Sequence, residues 1–441
     1  MGRGLRYLPP RTPRAGRGRE HLCRGGAPIL PRGRGGDPPS GSRARPRHPE
    51  RPDPRHPGAT ARPPGPGPGA GPRPGGVGLG TGPGRSHPRD RGDPGPGTTG
   101  RGPTLTESGG RRRRTVLVSG LVVAGTLGVA LLGLALGSVA IPAGEFLEVL
   151  RGRGSDMHRL LVLELRAPRV LLGLLVGGGL ALAGAVFQAL LRNPLAEPYI
   201  LGVSGGAAAG AVTVLSLGLA AATSWHLPAA AFAGALVAIG LVFGVAISAD
   251  RRLDVRVLLL SGVVVGAFFS AFIALVISVS DAPTVRSAVL WMMGSLSGAT
   301  WATVGITAAY TIPAGLLLLA LARPLNLMAI GEETAGYLGT EVEQTKRLAY
   351  GVASLVAAAG VAFAGVIGFV GLIIPHSVRL LVGPDHRALL PLSFVAGAGF
   401  LVLADLGARM ALAPTEIPIG VITAFVGVPF FLLLLRRSLS P

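Results

Sequence analysis

From Thr115 onward the chain repeats one pattern: an apolar stretch of about 20 residues, a short polar break, then another apolar stretch. A helix of that length crosses roughly 30 Å of hydrocarbon and satisfies its own backbone N–H and C=O groups where water is absent. Nine stretches stand out, near residues 115–140, 168–191, 199–221, 227–249, 255–279, 302–322, 347–368, 388–411 and 418–435. A tenth, 370–383, is shorter and holds Pro375, His376 and Arg379. Glycine and alanine recur inside the stretches, and such small residues let membrane helices approach closely. The pattern predicts an all-α, polytopic membrane domain over residues 115–441 with about ten transmembrane helices.

Two of the polar breaks are distinctive. Arg192-Asn193-Pro194-Leu195-Ala196-Glu197-Pro198 carries two prolines, each of which lacks an N–H and biases the preceding residue away from helix. It reads either as a plain loop or as part of a transport gate. The second break, residues 323–347, is too polar to cross a membrane. Within it, Gly331 to Gly339 reads as a short helix. Glu332 and Glu333 in its first turn favour the positive end of the helix dipole, and Gly339 suits a C-terminal stop. Tyr337 and Leu338 would then offer an apolar surface outside the bilayer, either to the lipid boundary or to a cytoplasmic partner.

Charge separates the chain into two parts. Residues 1–114 hold 24 arginines against seven Asp/Glu, whereas residues 115–441 hold 18 Lys/Arg against 15 Asp/Glu. The N-terminal tail also carries 23 of the 38 prolines. Such a segment buries too little apolar surface to offset its ordering entropy, so residues 1–114 are expected to be disordered. The expectation is an extension without a specific role, rather than an arm for nucleic acid or anionic lipid. No apolar stretch follows its early arginines, as a signal peptide requires. The single cysteine, Cys23, lies in this tail, which excludes any disulfide within the chain.

The charge pattern also orients the membrane part. Arg111 to Arg114 and the closing Arg436-Arg437 place both termini in the cytoplasm by the positive-inside rule, which requires an even number of crossings. Ten crossings put fifteen Lys/Arg inside and seven outside, counted from Arg111. Trp225, Trp291 and Trp301 then fall at the outer boundary, where interfacial aromatics are expected.

Five of the seven outside charges, Arg151, Arg153, Arg159, Arg166 and Arg169, crowd the first external loop, with Glu145, Glu148, Asp156 and Glu164 nearby to neutralise them. Arg166 and Arg169 at the mouth of the second stretch, and Arg409 at the outer end of the ninth, are candidates for docking an acidic external partner, because guanidinium groups bind carboxylates bidentately. For Arg409 an intrahelical pair with Asp405, four residues earlier, is the competing reading.

Catalytic chemistry finds no candidates. Lys346 is the only lysine and no GxxxxGK[ST] loop precedes it, so the chain cannot be its own P-loop ATPase. His158, His226, His376 and His386 lack neighbours at metal-ligand spacing, and neither a metal nor a cofactor is expected. Intramembrane acids are nearly lacking, Asp405 being the main one, which argues against proton- or sodium-coupled transport.

Residues 115–441 resemble the FecCD-type permeases, membrane subunits of ABC importers for iron chelates and cobalamin. The resemblance rests on several motifs in order: Leu165 to Arg169, Gln188 to Ala207, Val257 to Ala271, Trp291 to Trp301, Leu325 to Gly339, Phe369 to Pro391 and Ala404 to Phe431. It implies a permease of the type II importer class in a bacterial cytoplasmic (inner) membrane, not itself an enzyme. The implied partners are two ABC ATPase subunits, an extracytoplasmic substrate-binding protein and a second permease, identical or paralogous. Residue by residue, it assigns Arg166, Arg169 and Arg409 to binding-protein docking, although Ala167 stands where the family commonly has Leu. Gly331, Glu332, Glu333, Ala335, Tyr337, Leu338 and Gly339 match its ATPase coupling helix. Asn193, Pro194 and Leu195 match its cytoplasmic gate, with the loop from Arg252 to Asp254 as counterpart, and the fifth and tenth stretches are implied to line a central pathway. The expected cargo is a ferric siderophore or related iron chelate, with haem or cobalamin as the alternative; an ion-coupled secondary transporter is the reading from a different class.

Overall fold

The computed structural model describes residues 105–221, 225–249 and 254–439. The tail up to residue 104, Cys23, Arg251 and Arg252 lie outside the described residues. Every regular element among the described residues is helical. In chain order these are α1 (Leu105–Ala135), α2 (Ala143–Leu150), α3 (Asp156–Arg159), α4 (Ala167–Leu190), α5 (Val203–Ser216), α6 (His226–Ala249), α7 (Val255–Ser278) and α8 (Ala282–Met292). They continue as α9 (Trp301–Ala320), α10 (Ala322–Ile330), α11 (Glu332–Tyr337), α12 (Val342–Ala364), α13 (Val370–Val382), α14 (His386–Met410) and α15 (Ile419–Leu439).

Seven of these segments are long and apolar enough to cross a membrane, and α5, α13 and the apolar part of α15 are shorter apolar helices. Together they occupy the ten positions that the apolar stretches predict. The third is shorter than expected. Pro198 opens a single 3-10 turn, Pro198–Leu201, and Gly202 at φ +78° redirects the chain before α5 begins. The hydropathy pattern also omits α2 and α8, which fall between stretches. Asp281 caps α8 by accepting the Thr284 N–H, with Pro283 in the first turn, where a missing N–H costs nothing.

At the centre stands α4, buried along most of its length and packed by α9, α12, α13 and α14. Small residues set these approaches. A Cβ on Gly177 would run into the backbone of Gly397 on α14, and one on Gly184 into the backbone of Gly371 on α13. The same device joins α5 to α6 through Gly206 and Gly234. Without a hydrophobic drive between helices in lipid, this contact of backbones supplies the van der Waals gain that holds them. At the opposite extreme, α1 is mostly exposed, and Thr126 anchors it by donating to the Val395 carbonyl of α14 at 3.0 Å. Trp225 and Trp291 line one cleft with Ser295, Thr300 and Thr303, and Trp301 follows directly at the start of α9, so the three tryptophans gather at one end of the bundle.

Candidate functional site

The predicted residues fall at the two ends of α4, a helix about 36 Å long at 1.5 Å per residue. A π-helical stretch, Leu160–Arg166, leads into α4 and delivers Arg166 and Arg169 to one end of the bundle. There Arg169 holds two carboxylates in a fork: its Nε lies 3.0 and 3.1 Å from the two oxygens of Asp405, and Nη1 and Nη2 each lie 2.9 Å from Glu416. Arg409 Nε stands 3.0 Å from Asp405 Oδ2, so the intrahelical pair is present. Arg166 donates to the carbonyls of Leu134, Ala135 and Val139, and Arg409 faces those of Gly133 and Leu136. Two guanidinium groups thus cap the orphan carbonyls at the C-terminus of α1, where the helix dipole favours positive charge.

The three arginines therefore converge, but they are not free. Arg166 and Arg409 are only 6% and 4% exposed, and Asp405 1%. The rim of the cluster is Glu416, whose side chain is 35% exposed. Sequence reading missed Glu416. The available signal was an excess of guanidinium groups at one end, which a single aspartate could not balance.

At the other end, α4 stops at Leu190 and the proline-containing turn follows. Asn193 Oδ1 accepts the Leu195 N–H at 2.9 Å, a side-chain turn that needs a short polar residue at that place. Asn193 and Pro194 are exposed, and Leu195 is half-buried. Arg192, at the start of the turn, reaches Glu332 of α11 at 3.3 Å and the Met328 carbonyl of α10 at 3.3 Å. Glu197, near its end, accepts the Phe369 N–H, while Tyr199 Oη accepts the Ile367 N–H at 3.2 Å. The turn and the segment joining α12 to α13 are thus stitched together.

The short helix expected at 331–339 is α11. Glu332 and Glu333 occupy its first turn, and Gly339 at φ +83° follows it in the left-handed conformation that a side chain would resist. Ala335 is fully buried, whereas Tyr337 is 91% and Leu338 60% exposed. Lys346 of α12 holds Glu332 at 2.6 Å from beneath. The preceding helix, α10, is latched to the start of α14: Asn326 donates to Asp385 at 2.7 Å and accepts the His386 N–H at 2.9 Å. Partial burial works against ionisation of Asp385, yet the Arg387 N–H, the Asn326 amide and the neighbouring positive charge outweigh it and hold the carboxyl below its usual range.

Between these ends lies an apolar cleft of about 600 Å3 lined by Met292 and Met293, by Gly368 and Phe369, and by Val421, Phe425 and Val428 of α15. No cluster of metal-ligating side chains occurs among the described residues.

The model of the FecCD transport family matches residues 125–437. The chain belongs to the FecCD transport family. Within that family, the permease is 47% identical over 281 residues to the cobalamin import system permease protein BtuC of Halobacterium salinarum, covering 64% of this chain and 74% of that one. It is 42% identical over 318 residues to the ABC transporter permease protein YvrB of Bacillus subtilis, 70% and 90% of the two chains. The vitamin B12 import system permease protein BtuC of Escherichia coli O157:H7 is 42% identical over 284 residues, 64% and 86%. Among solved structures, an inward-facing ABC transporter of the metal-chelate type superposes with a TM-score of 0.65 at 31% identity, covering 73% of the permease and 99% of that chain. The protein is a multi-pass permease subunit of an ABC importer. The expectation of a siderophore in particular finds no specific support here: both BtuC relatives are named as cobalamin or vitamin B12 permeases.

Proposed function

We propose that this permease imports a cobalamin-type corrinoid across the cytoplasmic membrane, driven by ATP hydrolysis in separate subunits. The observation that carries the reading is the 47% identity to a cobalamin import permease over most of both chains. A metal chelate is the second reading, favoured by the metal-chelate type transporter of the same fold.

In this scheme the end of the bundle with Arg169 faces outward and α11 faces the cytoplasm, with both termini inside. A binding protein docks at the arginine cluster. Arg166 and Arg409 set the positive field, and an acidic side chain of the binding protein exchanges with Glu416 for Arg169, whose fork suits bidentate carboxylates. One of two ATPase subunits seats on Tyr337 and Leu338, the exposed apolar tip of α11, and the other on the second permease. A second permease, identical or paralogous, faces α7 and α15, which expose Leu260, Val264 and Phe268 on one and Phe425 on the other. The cargo passes between the two subunits along the cleft beside α15, and Asn193, Pro194 and Leu195 close its inner end. The permease supplies no covalent chemistry; ligand, binding protein and ATP bias a conformational equilibrium.

Proteoliposomes holding the permease, its ATPase and its binding protein test the cargo. ATP-dependent uptake of cobalamin with none of a ferric siderophore is the expected result. Uptake of the chelate alone would assign the second reading, and uptake of either without ATP would remove the importer scheme.

A further inference from the structure

Among the described residues just two other than glycine take a positive φ, Arg192 at 47° and Phe369 at 69°. Side chains with a Cβ resist this region, and such strain persists only where surrounding contacts enforce it. The two residues sit at opposite ends of one connected path. Arg192 opens the proline-containing turn and is held by Glu332 of α11 and the Met328 carbonyl of α10. Glu197, five residues on, fixes the Phe369 N–H. The ring of Phe369 then fills the space where a Cβ on Gly427 of α15 would lie. Phe369 and the flanking residues of α15 are walls of the apolar cleft.

From these contacts we infer that the turn 192–198 is a rigid relay joining α11 to the wall of the translocation pathway, with Arg192 and Glu197 as its two positioning residues. The relay rests on the importer reading and extends it, for neither residue belongs to the gate trio Asn193, Pro194 and Leu195. The construction explains why the turn is short and stiff. Pro194 and Pro198 fix two backbone angles, and the Asn193 side chain closes the turn onto Leu195. A displacement of α11 therefore moves Glu197 instead of being absorbed. Glu197 pulls on the backbone of Phe369, and the Phe369 ring bears on α15 with no intervening side chain. The Arg192–Glu332 pair is half-exposed at 48% and 35%, so its contribution to stability is small and its effect is on position. Lys346 holds Glu332 from the other side, which keeps the carboxylate aimed at Arg192.

The test uses the complete reconstituted complex and reads two quantities, ATP hydrolysed and substrate taken up per ATP. Arg192→Ala and Glu197→Ala are expected to leave hydrolysis within about twofold and to lower uptake per ATP about tenfold. Arg192→Lys, which keeps a cation at the turn, and Glu197→Gln, whose amide oxygen still accepts the Phe369 N–H, are expected to recover most of the loss. Unchanged uptake per ATP in both alanine variants overturns the relay. So does an equal loss in the alanine and conservative variants, which marks general damage. Should Glu197→Ala fail to assemble with the ATPase, Glu197→Asp takes its place: it keeps the charge, withdraws the carboxylate by one methylene, and carries the same expectation. Absence of ATP-driven uptake in the native complex overturns the importer reading itself and the relay with it.

Discussion

Asp405 shows how one residue can serve two opposite demands. It lies in an interior where an unpaired carboxylate is costly, and it is held by Arg169 from α4 and Arg409 from its own helix. Removing its charge leaves the buried Arg409 without its carboxylate and facing Arg169, which keeps only Glu416 at the rim. Asp405→Asn is therefore expected to destabilise the detergent-solubilised permease by about 3 kcal/mol, read as a lowered thermal midpoint. Glu416 is the contrast, because it meets the same Arg169 at the exposed rim. Glu416→Gln should change stability by less than about 1 kcal/mol, and under the docking proposal it should tighten binding-protein affinity by releasing Arg169. Weaker binding would refute the exchange of carboxylates. Of this cluster, the arginines were legible in the sequence because arginine in a short outer loop is anomalous. Their partners were not. Arg169 and Asp405 are 236 residues apart, and the carbonyls that Arg166 satisfies belong to a helix end that has no signature of its own.

At the scale of elements, the membrane helices were readable because each announces itself locally through length and apolarity. What a hydropathy pattern does not contain is which face of a helix meets which neighbour. The line of glycines in α4 says that something comes close; the fold decides that Gly177 meets α14 and Gly184 meets α13. Gly184→Val is accordingly expected to force α13 away and abolish accumulation of folded permease in membranes. Gly244→Ala, where nothing lies within 4 Å, should leave the amount unchanged or raise it slightly. Equal yields from both would mean that the close approach is dispensable. α8 escaped prediction for a related reason: its eleven residues are too few to cross a membrane and are recognisable as helix mainly by the cap at Asp281.

For the whole molecule, α4 and α14 tie the two ends together. α4 carries Arg169 at one end and runs into the proline-containing turn at the other, while α14 is latched to α10 by Asn326 and to Arg169 by Asp405. Under the proposed scheme this arrangement would join a docked binding protein on one face of the membrane to the stroke of an ATPase on the other. Leu338→Asp places a charge on the exposed tip of α11 and leaves buried Ala335 in place. It is expected to release the ATPase on purification while the permease remains folded; full co-purification with normal uptake would remove α11 from the coupling role. The sequence by itself determined the helical class, the count of apolar helices, the short α11 with its acidic first turn and glycine stop, and the family, since each depends on residues close together along the chain. Only the tertiary structure decided that Arg166, Arg169 and Arg409 are caps and ion-pair partners within the chain, and that the proline-containing turn is fastened to α11 by Arg192 and to the cleft wall by Glu197. Those contacts join residues more than a hundred positions apart, and packing rather than local propensity selects them.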